Sequence, residues 1–126
     1  MALGRAIEVN EAYRILKDPV RRAEALLARR GVQTGEGKEP PASPALLMEV
    51  MERREALAEV RTTKNEAALE RLIAEVRSEA ERAQAALNTE FASPSSNSAE
   101  ILKRVGELRY YRRFLDEAAS IADDLL

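Results

Sequence analysis

The sequence predicts an all-α protein, and three features of the chain support this. Ala, Leu, Glu and Arg, which all favour helices, dominate the 126 residues. Apolar residues recur at three- and four-residue spacing, and no window alternates apolar and polar side chains as a strand would. The prolines all fall at the edges of these periodic runs, where they mark boundaries between helices.

Two short helices are predicted first, over about 3–17 and 19–30. Asp18 can cap the second of them, with Pro19 at its first helical position. Gly31 follows its last turn, as is typical of a helix C-terminus. Two short helices rarely fold alone, so we expect this pair to pack against another part of the molecule.

A linker is predicted over 31–43, because this stretch holds three of the five glycines and two adjacent prolines. Ser43 and Pro44 then repeat the cap-and-proline start of a helix. Three longer helices are predicted at about 44–62, 65–91 and 97–126. Their apolar stripes each need a partner, which predicts an antiparallel three-helix bundle over 44–126.

The composition excludes several classes of function. Because the chain contains no Cys and no His, it has no disulfides, no Cys/His zinc site and no catalytic His. The net charge of −2 argues against a strongly electrostatic nucleic-acid binder. No apolar run approaches the ~18 residues of a membrane span. We therefore expect a cytoplasmic protein that is not an enzyme and binds no cofactor, metal, nucleic acid or membrane.

The third predicted helix has an unusual distribution of side chains. At about 100° per residue, Leu46, Val50, Leu57 and Val60 share a core face, which also contains Arg53. Six further residues fall on the side away from that face: Leu47, Met48, Met51, Glu52, Glu55 and Glu59. Such a mixture is typical of a docking face, where flexible thioethers fill a partner's pocket and carboxylates meet its basic residues. One alternative is a wider core that buries Leu47 and Met51, and another is that the first two helices cover these residues.

Tyr110 raises a similar question in the last helix. It lies about 200° from Leu108 on the helical wheel, away from the apolar stripe. Phe114 is one turn further on and is expected to share this off-core face. The pattern is equally compatible with a second packing surface and with a binding site.

Two groups of charged residues carry weaker signals. The first thirty residues are basic, with clusters at Arg21, Arg22, Arg29 and Arg30 that fit either a solvated face or contact with an acidic partner. The acidic pair of Glu79 and Glu81 is expected to be solvated, because residues two positions apart on a helix point about 200° apart.

The segment VNEAYRILKDPVRRAEALLARRG at 9–31 resembles the end of a J-domain, with its third and fourth helices. With SPALLMEVMERREALAEV in the third predicted helix and ELRYYRRFLDEA in the last, the order resembles the HscB-type co-chaperones of iron–sulfur cluster assembly. The resemblance covers nearly the whole chain. It implies that 1–30 are the last two helices of a J-domain and that 44–126 bind a cluster scaffold protein.

The resemblance implies two partners, an IscU-type scaffold and a DnaK-type, HscA-like chaperone. Scaffold contacts in the family come from the first bundle helix and one aromatic residue of the last. Matched to this sequence, they fall on Leu47, Met48, Met51, Glu52, Glu55, Glu59 and Tyr110. These include the residues already marked as unusual by the helical wheel.

The chain departs from the family at its start. The element that activates the chaperone is a His-Pro-Asp tripeptide, and this chain contains no His and starts at the third J-domain helix. It would be an expressed fragment, a proteolytic remnant, or a start-truncated or degenerate homologue. Stimulation of the chaperone's ATPase therefore does not transfer to this chain. The expected protein is a monomeric adaptor, and the rival hypothesis is a helical module that buries its exposed apolar faces in a homo-oligomer.

Overall fold

The computed structural model describes residues 19–34, 40–93 and 95–125. Within these ranges the chain forms helices and no strands, so the predicted all-α class is confirmed. Residues 19–29 are helical and are called α1. The remaining helices are α2 (Pro44–Thr63), α3 (Glu66–Ala92) and α4 (Ser98–Asp124). The helix predicted at 3–17 lies outside the described residues.

Polar side chains fix the starts of the three long helices. Ser43, Asn65 and Asn97 each accept a hydrogen bond from a backbone N–H of the first turn, which satisfies donors that have no partner within the helix. Helix α2 ends at Lys64, which adopts the left-handed conformation with φ 56° and donates its N–H to the Val60 carbonyl. These local signals explain why the predicted bounds of the three helices lie within two residues of the observed ones.

Helices α3 and α4 form the best-packed part of the molecule. Their facing stripes are almost completely removed from solvent, and Leu69, Leu87 and Leu108 are each 0% exposed. The connection between the two helices spans only five residues, 93–97, so they lie antiparallel. The buried residues of this pair are Leu69, Ile73, Val76, Ala80, Ala83, Leu87, Ile101, Val105, Leu108, Tyr111, Phe114, Leu115, Ala118, Ile121 and Ala122.

Helix α2 joins this pair mainly through its C-terminal half. Leu57, Val60 and Arg53 are its buried residues. Leu46 and Val50, which were expected on the core face, are only half-buried. The first two turns of α2 therefore bury little surface, because they border a cleft and are not closed over by α4.

Helix α1 packs on the bundle through apolar and polar contacts. Val20, Ala23 and Leu27 belong to the same buried cluster as the bundle core. Glu24 also forms an ion pair with Arg109 of α4 at 3.2 Å. Helix α1 thus packs against the bundle as expected, whereas the other helix of the predicted pair lies outside the described residues.

Arg21, Arg22, Arg29 and Arg30 are all exposed, as expected of a solvated face, and two of them also contact the bundle. The Arg22 guanidinium lies 5.0 Å from the centre of the Phe91 ring, a cation–π contact. Arg30 donates to the Ser96 carbonyl at 3.2 Å and to the Ser98 hydroxyl at 3.0 Å, and it also reaches the Ser96 hydroxyl. These charges help to hold α1 against the connection between α3 and α4.

Candidate protein-binding surface

One side of α2 carries large apolar side chains that remain in contact with water. Leu47, Met48 and Met51 are 52%, 63% and 64% exposed. They are the large exposed hydrophobic residues of the described part of the chain. The prediction that they lie away from the core is therefore confirmed, and the alternative of a wider core that buries Leu47 and Met51 is wrong.

Carboxylates surround these apolar residues. Glu52, Glu55 and Glu59 are exposed, and none of them forms an ion pair with another described residue. We call this side of α2 the outer face, and it comprises Leu47, Met48, Met51, Glu52, Glu55 and Glu59. An apolar patch with an acidic border has the composition of a protein-binding surface that recognises a basic partner.

Tyr110 lies beside the outer face and not on it. Its half-buried ring lines a cleft of about 600 Å³ between the start of α2 and helix α4. Leu47 lines the same cleft, whereas Met48 and Met51 do not. The structure thus brings Leu47 and Tyr110 to one opening and leaves the two methionines on the adjoining surface.

The expectation for Phe114 is wrong, because this side chain is only 3% exposed. Helix α4 buries a band wider than the single stripe that a helical wheel predicts. Phe114 forms part of the wall of the cleft, next to Tyr110. Of the two aromatic residues expected off the core, only Tyr110 keeps substantial exposure.

A buried ion pair lies behind the outer face. Arg53 of α2 is 9% exposed and pairs with Glu79 of α3, with Glu49 of its own helix at 3.9 Å. Burial alone would lower the pKa of Arg53, but the contacts with Glu79 and Tyr110 outweigh this effect, and the raised pKa keeps the guanidinium charged. The expectation that Glu79 is solvated is therefore wrong.

The buried Arg53 also affects the pKa of Tyr110. The Tyr110 hydroxyl and Nη1 of Arg53 are buried without a hydrogen-bond partner among the described residues. Burial raises the pKa of Tyr110, and the Arg53 guanidinium partly opposes that shift. The phenol therefore stays neutral at physiological pH. The sequence signal for this cluster was Arg53 itself, a charged residue at a core position.

Other types of site have no support in the described residues. Because the sequence contains no Cys and no His, a metal site of this kind would have to be built from Asp and Glu carboxylates. Among the described residues, no group of three carboxylates lies close enough together to hold a metal ion. Within the same residues, none of the helices combines the length and the apolar character that crossing a membrane requires.

Comparison with known proteins adds the family context. A family model described as the HSCB C-terminal oligomerisation domain matches residues 42–119. A co-chaperone protein HscB homolog from Burkholderia multivorans is 35% identical over 120 residues, which cover 95% of this chain and 67% of the relative. The chain belongs to the HscB family. The HscB homolog from Burkholderia cenocepacia matches with the same identity and coverage, and that from Burkholderia vietnamiensis is 43% identical over 79 residues, 63% of this chain and 45% of the relative.

This result confirms the resemblance to HscB-type co-chaperones that the sequence motifs indicated. No solved structure matches the chain significantly. The division into a J-domain remnant at 1–30, a linker at 31–43 and a bundle at 44–126 stays a prediction. The binding roles of the outer face and of Tyr110 also stay predictions.

Proposed function

We propose that this HscB-family chain is a non-enzymatic, cytoplasmic co-chaperone of iron–sulfur cluster assembly. It binds an IscU-type scaffold protein through the outer face of α2 together with Tyr110, and it presents the scaffold to a DnaK-type, HscA-like chaperone. The observation that supports this most strongly is the exposure of Leu47, Met48 and Met51 on one side of a single helix. Stimulation of ATP hydrolysis is not part of the proposal, because the chain has no His for a His-Pro-Asp element.

The two kinds of residue on the outer face are expected to contribute differently to binding. Burial of Met48 and Met51 against a partner removes apolar surface from water, and truncation of such an anchor commonly costs ~1–3 kcal/mol. The carboxylates of Glu52, Glu55 and Glu59 stay near the rim, where charges mainly raise the association rate. Their contribution should fall as salt screens the interaction.

Titration calorimetry with a purified IscU-type scaffold tests the proposal. We expect Met48→Ala, Met51→Ala and Tyr110→Ala each to weaken binding by about ten- to a hundredfold. Thermal melts of the same variants should change little for the two methionines, because their side chains already contact water. Lower melting temperatures with unchanged affinity per folded molecule would contradict the proposal.

The acidic residues need a control of matched charge. We expect Glu55→Gln and Glu59→Gln to slow association at low salt and to have smaller effects at high salt. Glu81→Gln on α3 removes the same charge from an exposed position away from α2. Equal effects of all three substitutions would show that only the net charge of the chain matters.

Self-association is a second candidate, because the matching family model is described as an oligomerisation domain. In that case the outer faces of two copies would cover each other. Light scattering over a range of concentrations separates the two functions. Our proposal expects a monomer at every concentration, whereas a mass that rises with concentration and is lowered by Met51→Ala would favour self-association.

A further inference from the structure

The cleft between α2 and α4 is built differently from the outer face. Its volume of about 600 Å³ lies within the ~300–1,000 Å³ typical of ligand-binding clefts. The apolar part of its lining comes from Leu46, Leu47, Val50, Tyr110 and Phe114. Residues 40–43 close one end. An opening of this size accommodates a short segment with more than one side chain.

The charges around the cleft are mainly basic. Arg54 of α2 and Lys103 of α4 line it, and neither forms an ion pair with a described residue. Of the acidic lining residues, Glu107 is held by Arg104 at 3.1 Å. Glu117 is the other carboxylate at the cleft, and the basic residues outnumber the acidic ones.

Helix α2 therefore separates charge across its width. Its outer face carries the carboxylates of Glu52, Glu55 and Glu59, whereas its cleft side carries Arg54 and meets Lys103 of α4. These acidic residues of α2 thus face one side, and the basic residues Arg54 and Lys103 lie at the cleft on its other side. A partner that covers both sides must carry basic groups toward one and acidic groups toward the other.

We propose that the cleft binds a short segment of the scaffold protein, in which an apolar side chain is followed by a carboxylate. The apolar side chain lies against Leu46, Val50 and Tyr110, and the carboxylate pairs with Arg54 and Lys103. This inference rests on the proposed function and adds a second contact to it. The charge separation across α2 then fixes the orientation of the partner, because the reversed orientation places like charges together.

Charge reversal at the cleft tests this contact in the full chain with a purified IscU-type scaffold as the probe. Arg54→Glu combined with Lys103→Glu should weaken binding at least about tenfold at low salt, and high salt should reduce the difference between this variant and wild type. Leu46→Ala should weaken binding at both salt concentrations. Arg71→Glu combined with Arg82→Glu on α3 is the control of matched charge, since both residues are exposed and do not line the cleft, and it should bind like wild type.

The outcomes separate the two proposals. If Met51→Ala weakens binding while the cleft variants bind like wild type, the cleft inference is wrong and the proposed function stands. If the charge-reversed variant binds more tightly, the segment in the cleft is basic and the inference is wrong. If the cleft variants change only self-association, the cleft inference is wrong as well. If wild type does not bind the scaffold, both proposals fail.

Discussion

Helices α2 and α4 are both long, apolar-rich helices, yet they use their apolar residues in different ways. Helix α4 has 27 residues and buries nine, none of them charged. Helix α2 has 20 residues and buries three, one of which is Arg53. Three of its large apolar side chains, Leu47, Met48 and Met51, are instead exposed. The two helices thus differ less in composition than in where their apolar side chains point.

This difference shows how a folded protein can leave apolar surface exposed, so that its burial stabilises a complex with a partner. Each apolar Å² removed from water contributes roughly 25 cal/mol, and α4 gains this contribution on folding. The outer face of α2 does not, so the gain can be realised when another protein covers it. Helix α2 stays in place because its C-terminal half is buried, with Leu57 and Val60 in the core and Arg53 paired to Glu79.

The largest expected difference between the two helices concerns stability. Leu108→Ala in α4 should lower the free energy of unfolding by ~2–5 kcal/mol, because it leaves a cavity where the side chain is 0% exposed. Met48→Ala in α2 should change it by no more than about 0.5 kcal/mol. Urea unfolding of both variants measures the two values. Similar decreases in the free energy of unfolding for both variants would mean that Met48 stabilises the fold, and would contradict its role as an exposed binding residue.

A smaller effect is expected at the ion pair that anchors α2. Glu79→Ala should cost ~1–3 kcal/mol, because it leaves the buried Arg53 guanidinium without its main partner. Arg53→Leu should be close to neutral or stabilising, because an apolar side chain suits this core position. Urea unfolding distinguishes them, and equal destabilisation by both substitutions would contradict this account of the pair.

The smallest expected effects are at the helix caps, where the same chemistry can be compared in both helices. Asn97→Ala should cost ~1 kcal/mol of global stability, because Asn97 caps the start of the well-packed α4. Ser43→Ala should cost less and should act locally, since the first turns of α2 bury little surface. Hydrogen exchange should show faster exchange confined to the start of α2 in the second variant. Global destabilisation by Ser43→Ala would show that the start of α2 folds together with the core.

The comparison also shows which features a sequence can reveal. Helix starts were predictable because Ser43, Pro44 and Asn97 act on neighbouring backbone groups. The outward position of Met48 and Met51 was predictable because helical periodicity alone determines it. Both depend only on residues close together in the chain.

The features that were not predicted from the sequence all depend on how separate helices pack. Arg53 and Glu79 are 26 positions apart, and no periodicity within one helix brings them together. Phe114 was expected on an open face because a helical wheel assumes one buried stripe, whereas α4 buries a wider band. The cleft beside Tyr110 is likewise lined by residues of two separate helices, α2 and α4, which no periodicity within one helix brings together.

Methyl NMR on methionine-labelled protein tests most directly whether the outer face of α2 is a binding surface. The chain contains three methionines, and Met48→Ala and Met51→Ala assign two of the signals. On titration with a purified IscU-type scaffold, the methyl signals of Met48 and Met51 should shift or broaden in proportion to the bound fraction. Binding that leaves both signals at their positions in the free protein would contradict the central claim.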